Sequence, residues 1–485
     1  MIEQESRPAT PGTDSPLEPS GEAFRELVAA ALDHIVPHLE SLSRQPAADL
    51  DFAGGARLAR SLAEPLPRRP TPLPELLDLL FARAIPRSFN TAGPGYLAYI
   101  PGGGLPHAAV ADLIADSVNR YTGLFAAAPG LVQLEANVVA WFAEIAGYPK
   151  EARGFLTSGG SLANFTALVT ARRERLPEQF LSGMLYASDQ THHSVRKAAL
   201  LAGFPPANVR SIPSDAAFRI RTDLLAERIA ADRAAGYQPF LVVGNAGSIN
   251  TGAVDPFADL AEISSREGLW LHADAAYGGF FLLTAAGRSA MRGIERADSI
   301  ALDPHKSLFL PYGTGALLVR DGPALRRAHS VAADYLPPIQ SDADLVDFCE
   351  ISPELSRPFR GLRVWLPVKL LGIDPFREAL EEKLELARWA AGELRAVPGI
   401  EVLVDPELSL FPFRLAAPGL AGEERNRLNR RLLERVNARQ RVHLTGTLIG
   451  GSFALRICVL SFRTHRQRVE ECLEDIRASV REVLA

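Results

Sequence analysis

The stretch "SIALDPHKSLFLPYGTGALLV", residues 299–319, sets Asp303, His305 and Lys306 between two apolar runs. Ser299–Asp303 and Gly315–Arg320 each read as a buried strand. A lysine at such a place is costly, because a buried ammonium either forfeits several kcal/mol or gives up its proton. Beside a second positive group it becomes a neutral, nucleophilic amine able to form Schiff bases. The plain alternative is a surface lysine in a loop. Outward from this stretch, similar runs recur at "GMLYAS" (183–188), "NVRSI" (208–212), "PFLVVGN" (239–245) and "LWLHAD" (269–274). Between them, "RTDLLAERIAADRAAG" and "DPFADLAEISSREG" have helical periodicity and close on glycine. This alternation predicts an α/β fold, a parallel sheet covered by helices on both faces.

The remainder bounds the function class. Basic and acidic residues number 52 and 57, a formal charge of −5, so no electrostatic pull toward nucleic acid or an anionic membrane is expected. The apolar-leaning run "AAYGGFFLLTAAG" (275–287) is too short to span a bilayer. Cys349, Cys458 and Cys472 have neither disulfide-framework nor metal-ligand spacing, so no metal is expected and a reducing cytoplasm fits. The organisation expected is a disordered tail over 1–20, a helical arm over 21–92, a large domain over 93–344 and a smaller α+β domain over 345–485. In the arm, Pro37 is expected to bend or end a helix. In the small domain "IEVLV", "FPFRL", "VHLTG" and "FALRICV" are candidate strands, and Thr464 with Gln467 reads as a capping box opening the last helix. That helix would bury Val469, Leu473, Ile476 and Val480.

Four stretches could carry chemistry. "FLTSGGSLANFTALVTARRE" passes from a strand into a helix, with Ser158, Gly159, Gly160 and Ser161 at the turn. Free N–H groups and the helix dipole there favour a phosphate, whereas the bland reading is a tight, Ser-capped turn. His192 and His193 follow a strand end, where an imidazole could pack on a flat ligand or simply belong to a polar loop. Asp274 closes an apolar strand and needs a cationic or hydrogen-bonding partner, either a ligand or a structural arginine. Lys306 follows after one more helix and strand, so both side chains reach the same sheet edge. A phosphate cradle, a stacking imidazole, a carboxylate for a heteroaromatic nitrogen and an imine-forming lysine together match pyridoxal 5′-phosphate.

On "TSGGSLAN", "SDQTHHSV", "HADAAYGG", "ADSIALDPHK", "DYLPP", "ELSRPFRGLRVW" and "LRICVLSFRTH", the chain resembles the group II pyridoxal-phosphate-dependent amino-acid decarboxylases, the family of aromatic-L-amino-acid, histidine and tyrosine decarboxylases. The resemblance implies the fold type I, aspartate-aminotransferase-like architecture: a mostly parallel seven-stranded sheet, an N-terminal helical arm and a C-terminal α+β domain. It also implies a cytoplasmic homodimer with active sites at the interface. It makes Lys306 the Schiff-base lysine and Asp274 the partner of the pyridinium nitrogen. His192 would stack on the ring and meet the substrate. Ser158 and Gly159 would hold the phosphate, Ser248 and Ala276 would lie near the ring, and His305 would precede the lysine as in the family. Tyr335 would donate a proton from a mobile loop. The reaction implied is decarboxylation of an L-amino acid, aromatic first and histidine second, to an amine. Ser356 is the residue type that histidine decarboxylases carry. Asp303 stands where aromatic-amino-acid decarboxylases commonly have Asn, so it is expected to face a backbone N–H or an arginine. Ser307 stands where they have Trp. The competing readings are an aldehyde synthase, aminotransferase or other lyase using the same cofactor, and a non-catalytic protein that keeps the fold.

Overall fold

The computed structural model describes residues 15–331, 342, 344–416, 419–420 and 422–485. The chain divides into two compact units, Met1–Asn90 and Thr91–Ala485. In the first, the helix Gly21–Ser41 starts on Ser20, whose hydroxyl accepts from Ala23 N–H at 3.1 Å. It runs through Pro37, so the proline does not end the helix. It buries none of its residues, and Phe24, Leu27, Leu32, Ile35 and Val36 are exposed. Most of the tail expected over 1–20 lies outside the described residues.

The second unit holds both sheets. The larger has seven strands: β1 (Arg153–Thr157), β2 (Gly183–Ser188), β3 (Val209–Ile212), β4 (Gln238–Asn245), β5 (Trp270–Ala275), β6 (Ser299–Leu302) and β7 (Gly315–Val319). Their order is β1-β7-β6-β5-β4-β2-β3. All neighbours run parallel except β7, which is antiparallel to both β1 and β6. The mostly parallel, seven-stranded α/β fold expected from the sequence is what forms. Strands β2, β5, β6 and β7 are buried along their whole length, the reason each reads as a near-continuous apolar run. Successive side chains alternate between two cores. Leu271, Ala273 and Ala275 of β5 join one, while Trp270 joins the other with Ala163, Ala167 and Ala171 of the helix Gly160–Arg175. Trp270, His272 and Asp274 therefore share the face that this helix covers.

The smaller sheet is antiparallel, in the order β10-β11-β9-β8, with β8 Ile400–Val402, β9 Leu410–Leu415, β10 Thr445–Ile449 and β11 Ser452–Cys458. Strand β10 starts later than the "VHLTG" reading places it. Its core includes Phe411, Phe413, Leu455 and Ile457, covered by Val469, Leu473, Ile476 and Val480 of the last helix as periodicity predicts. That helix begins at Arg466, and its N-cap His465 makes no side-chain cap. The capping box does not form, because the Thr464 hydroxyl donates instead to Pro94 C=O at 2.8 Å. Among the described residues no helix is long and apolar enough to cross a membrane.

Candidate active site

The C-terminal ends of β4, β5 and β6 and the N-terminus of the helix Gly160–Arg175 open into one cleft of about 280 Å³. That lies at the lower end of the roughly 300–1,000 Å³ usual for small-molecule sites. Ser158, Gly159, His192, Ser248, Asp274, Ala276, His305 and Lys306, all singled out from the sequence, line it together. Tyr335 lies outside the described residues.

Each side chain is placed by its element. Parallel pairing of β5 with β6 sets Asp274 opposite Ala301, so Asp274 and the Asp303–Lys306 turn emerge at the same edge. Asp274 is buried and finds two donors, Asn164 Nδ2 at 2.9 Å and Ala276 N–H at 3.3 Å. The helix Gly160–Arg175 has no side-chain cap at its start, which leaves the N–H groups of its first two residues, Gly160 and Ser161, without an intrahelical acceptor. A Cβ at Gly160 would lie 3.0 Å from both Ala276 Cβ and Asp303 Oδ2, so any larger residue would have to push both neighbours back by a few tenths of an ångström. His192 caps the helix His193–Leu201, with Nδ1 2.8 Å from Ser194 Oγ. Burial lowers its pKa, and the pull of Asp274 opposes this without overcoming it. His305 Nδ1 lies 2.7 Å from Thr314 C=O, which fixes that ring. Ser248 turns its hydroxyl to Thr251 Oγ1 at 2.6 Å.

Lys306 corrects the sequence reading. Burial does press its pKa down, but the negative charges of Asp303 and Asp274 outweigh burial and hold it above the usual lysine value. Nζ sits 3.0 Å from Asp303 Oδ2 on the same short turn. Among the described residues no second cation contributes to its shift, and its partner is the Asp303 carboxylate. Asp303 thus faces neither an arginine nor a backbone N–H. Its Oδ1 is buried without a hydrogen-bond partner, close to Gly159.

These residues fit pyridoxal phosphate. The glycine-lined helix start suits its phosphate, Asp274 suits its ring nitrogen, and Lys306 suits its aldehyde. The orphaned Asp303 Oδ1 is the single discordant group, an anion beside the phosphate cradle, and the Lys306 ammonium offsets it. Sequence reasoning passed over Asn164, Ser194, Asn245 and Tyr277, which also line the cleft. For Asn164 the available signal was its position one helical turn beyond Gly160.

Residues 58–416 match the pyridoxal-dependent decarboxylase conserved domain. An aromatic-L-amino-acid decarboxylase of Bacillus atrophaeus is 33% identical over 472 residues, spanning 96% of this chain and 97% of that protein. Oryza sativa TDC, solved with PLP and tryptamine, superposes with a TM-score of 0.91 at 28% identity, covering 98% of this chain and all of that one. The Catharanthus roseus tryptophan decarboxylase in complex with L-tryptophan gives 0.88 at 28% identity, covering 97% of this chain and 100% of the other.

Proposed function

The chain belongs to the pyridoxal-dependent decarboxylase family, and on that premise we propose that it removes carbon dioxide from an aromatic L-amino acid, leaving the amine. It is a carboxy-lyase, and its cofactor is pyridoxal phosphate. The observation that carries the reading is the meeting of Lys306 and Asp274 in one cleft beside a glycine-lined helix start.

Bound there, pyridoxal phosphate supplies an electron sink for the pair released when a bond at the substrate Cα breaks. The chain's own residues do the rest. Ser158, Gly159 and the helix N-terminus would hold the phosphate, and Lys306 would supply the amine for the aldehyde. Asp274 would face the ring nitrogen and favour a proton there, because a carboxylate favours a cation opposite it. His192 walls one face of the ring, Ala276 and Ser248 border it, and His305 steadies the lysine turn. Orientation selects the bond that breaks, so the side chains that hold the substrate carboxylate decide for decarboxylation. Tyr335 is proposed as the proton donor to Cα on the strength of the family resemblance.

An aromatic substrate is favoured by the relatives named above. A cytoplasmic homodimer is part of the proposal. It is supported by the helix Gly21–Ser41, whose exposed Phe24, Leu27, Leu32, Ile35 and Val36 form an apolar face suited to a second copy. The test is a panel of L-amino acids offered to purified holoenzyme, with carbon dioxide, amine and aldehyde all measured. Carbon dioxide with an equal yield of aromatic amine is the expected result. Turnover confined to acidic amino acids or histidine, or an aldehyde as main product, would overturn the proposal.

A further inference from the structure

A continuous chain of hydrogen-bonded side chains runs beneath the cleft. At one end Trp270 Nε1–H, which can only donate, donates to Ser299 Oγ at 2.8 Å. Ser299 Oγ lies 2.8 Å from His272 Nδ1, and His272 Nε2 lies 2.9 Å from Asn164 Oδ1. Asn164 Nδ2 donates to Asp274 Oδ2 at 2.9 Å and to Ser194 Oγ at 3.0 Å. At the far end His192 Nδ1 lies 2.8 Å from Ser194 Oγ and accepts the Ser194 backbone N–H at 3.3 Å. Asn164, Ser194, His272, Asp274 and Ser299 are all buried, and each finds a side-chain partner within the chain.

One distribution of protons satisfies every contact. Asp274 accepts on both oxygens, from Asn164 Nδ2 and from Ala276 N–H, so Asn164 turns its NH₂ toward the carboxylate and its carbonyl toward His272. A carbonyl cannot donate, so His272 carries a proton on Nε2. Burial lowers His272 to about 4, which keeps the ring neutral and its Nδ1 bare. The Ser299 hydroxyl donates to that nitrogen and accepts from Trp270. On the other branch Ser194 Oγ accepts from Asn164 and gives its own proton to His192 Nδ1. The charged and titratable neighbours of His192 are Asp274, His193, Lys306 and Asp303; burial, His193 and Lys306 lower its pKa and prevail over Asp274 and Asp303, which raise it.

We propose that Asn164 is a positioning residue that fixes the tautomer of His192, leaving Nδ1 bare and the single proton on Nε2, so that the cleft meets a hydrogen-bond donor there and not a base. The assignment rests on the site described above, but it is read from nitrogen shifts and so is separate from which amino acid is consumed. Holoenzyme carrying ¹⁵N-labelled histidine rings tests it, with His192 identified by the resonances lost in His192→Gln. In the unaltered protein Nε2 should be protonated and Nδ1 bare. Asn164→Asp should shift the population toward a proton on Nδ1: the introduced carboxylate accepts from the Ser194 hydroxyl, which then no longer donates to Nδ1, while the Ser194 backbone N–H still favours a bare Nδ1, so a mixture of tautomers is expected. Because Asn164→Asp sets two carboxylates together and can fail to fold, Asn164→Leu serves as the second variant, with loss of the single tautomer to a mixture. A proton on Nδ1 in the unaltered protein, or the same tautomer retained in every folded variant, would overturn the proposal.

Discussion

Asp303→Asn should make the apoenzyme capture its cofactor faster and at lower pH. Lys306 attacks an aldehyde only as a free amine, and Asp303, 3.0 Å away, is the leading charge that holds it as an ammonium. A hydrogen bond to a charged group is worth about 1.5–3 kcal/mol. Removing it therefore raises the free-amine fraction at a given pH by roughly ten- to hundredfold, at 1.36 kcal/mol per factor of ten. Asp274 still favours the ammonium, so the lower end of that range is the expected one. The substitution also removes the negative charge beside the phosphate cradle, which acts in the same direction. The two effects separate experimentally. The pH profile of the rate of aldehyde capture, followed by absorbance, reports the amine. Competition by inorganic phosphate reports the cradle. A capture profile unmoved in Asp303→Asn, or displaced to higher pH, would refute the idea that this carboxylate holds the lysine proton.

Three other outcomes are expected. Asp274→Asn should cut kcat by roughly 10²–10³-fold, the rate equivalent of the about 3–5 kcal/mol lost when a buried charge pair is broken from one side, measured at saturating cofactor. Glu135→Ala should cost a similar about 3–5 kcal/mol in urea unfolding, because Glu135 and Arg357 form an ion pair with no side-chain exposure and Arg357 already has Nε and Nη1 unpartnered. Stability should also fall as pH drops from about 6.5 toward 4. Burial lowers His329 and His272 from 6.5 to about 4, so the unfolded chain binds the extra protons across that window and the contribution is whole only above it. Asp255, raised by burial to about 6, works in the opposite sense, so the histidine contribution is read as the difference between wild type and His329→Gln at pH 7 and pH 5.

The large sheet was legible because a strand buried on both faces must be apolar throughout, and β2, β5, β6 and β7 are. Asp274 and Lys306 stood out for the same reason, as ionisable groups at the ends of apolar runs. What the sequence hid was pairing across distance. Asn164 reads as an ordinary polar helix residue until β5, 110 positions later, lays Asp274 against it. His272 reads as a strand residue until Trp270, Ser299 and Asn164 surround it. The charge state of Lys306 was misread although its partner lay three residues away, because spacing alone does not say whether a short turn brings Asp303 Oδ2 to Nζ. Thr464 had the spacing of a capping box, and a tertiary acceptor, Pro94 C=O, took its hydroxyl. The helix Gly21–Ser41 buries none of its residues, and Phe24, Leu27, Leu32, Ile35 and Val36 stay exposed.

The most direct measurement is reduction of the holoenzyme with borohydride, followed by digestion and mass spectrometry. The chain has five lysines, at 150, 197, 306, 369 and 383. The reduced pyridoxyl phosphate group should be found on Lys306. Recovery of that group on any of the other four, or no covalent adduct in a holoenzyme that turns over, would contradict the account.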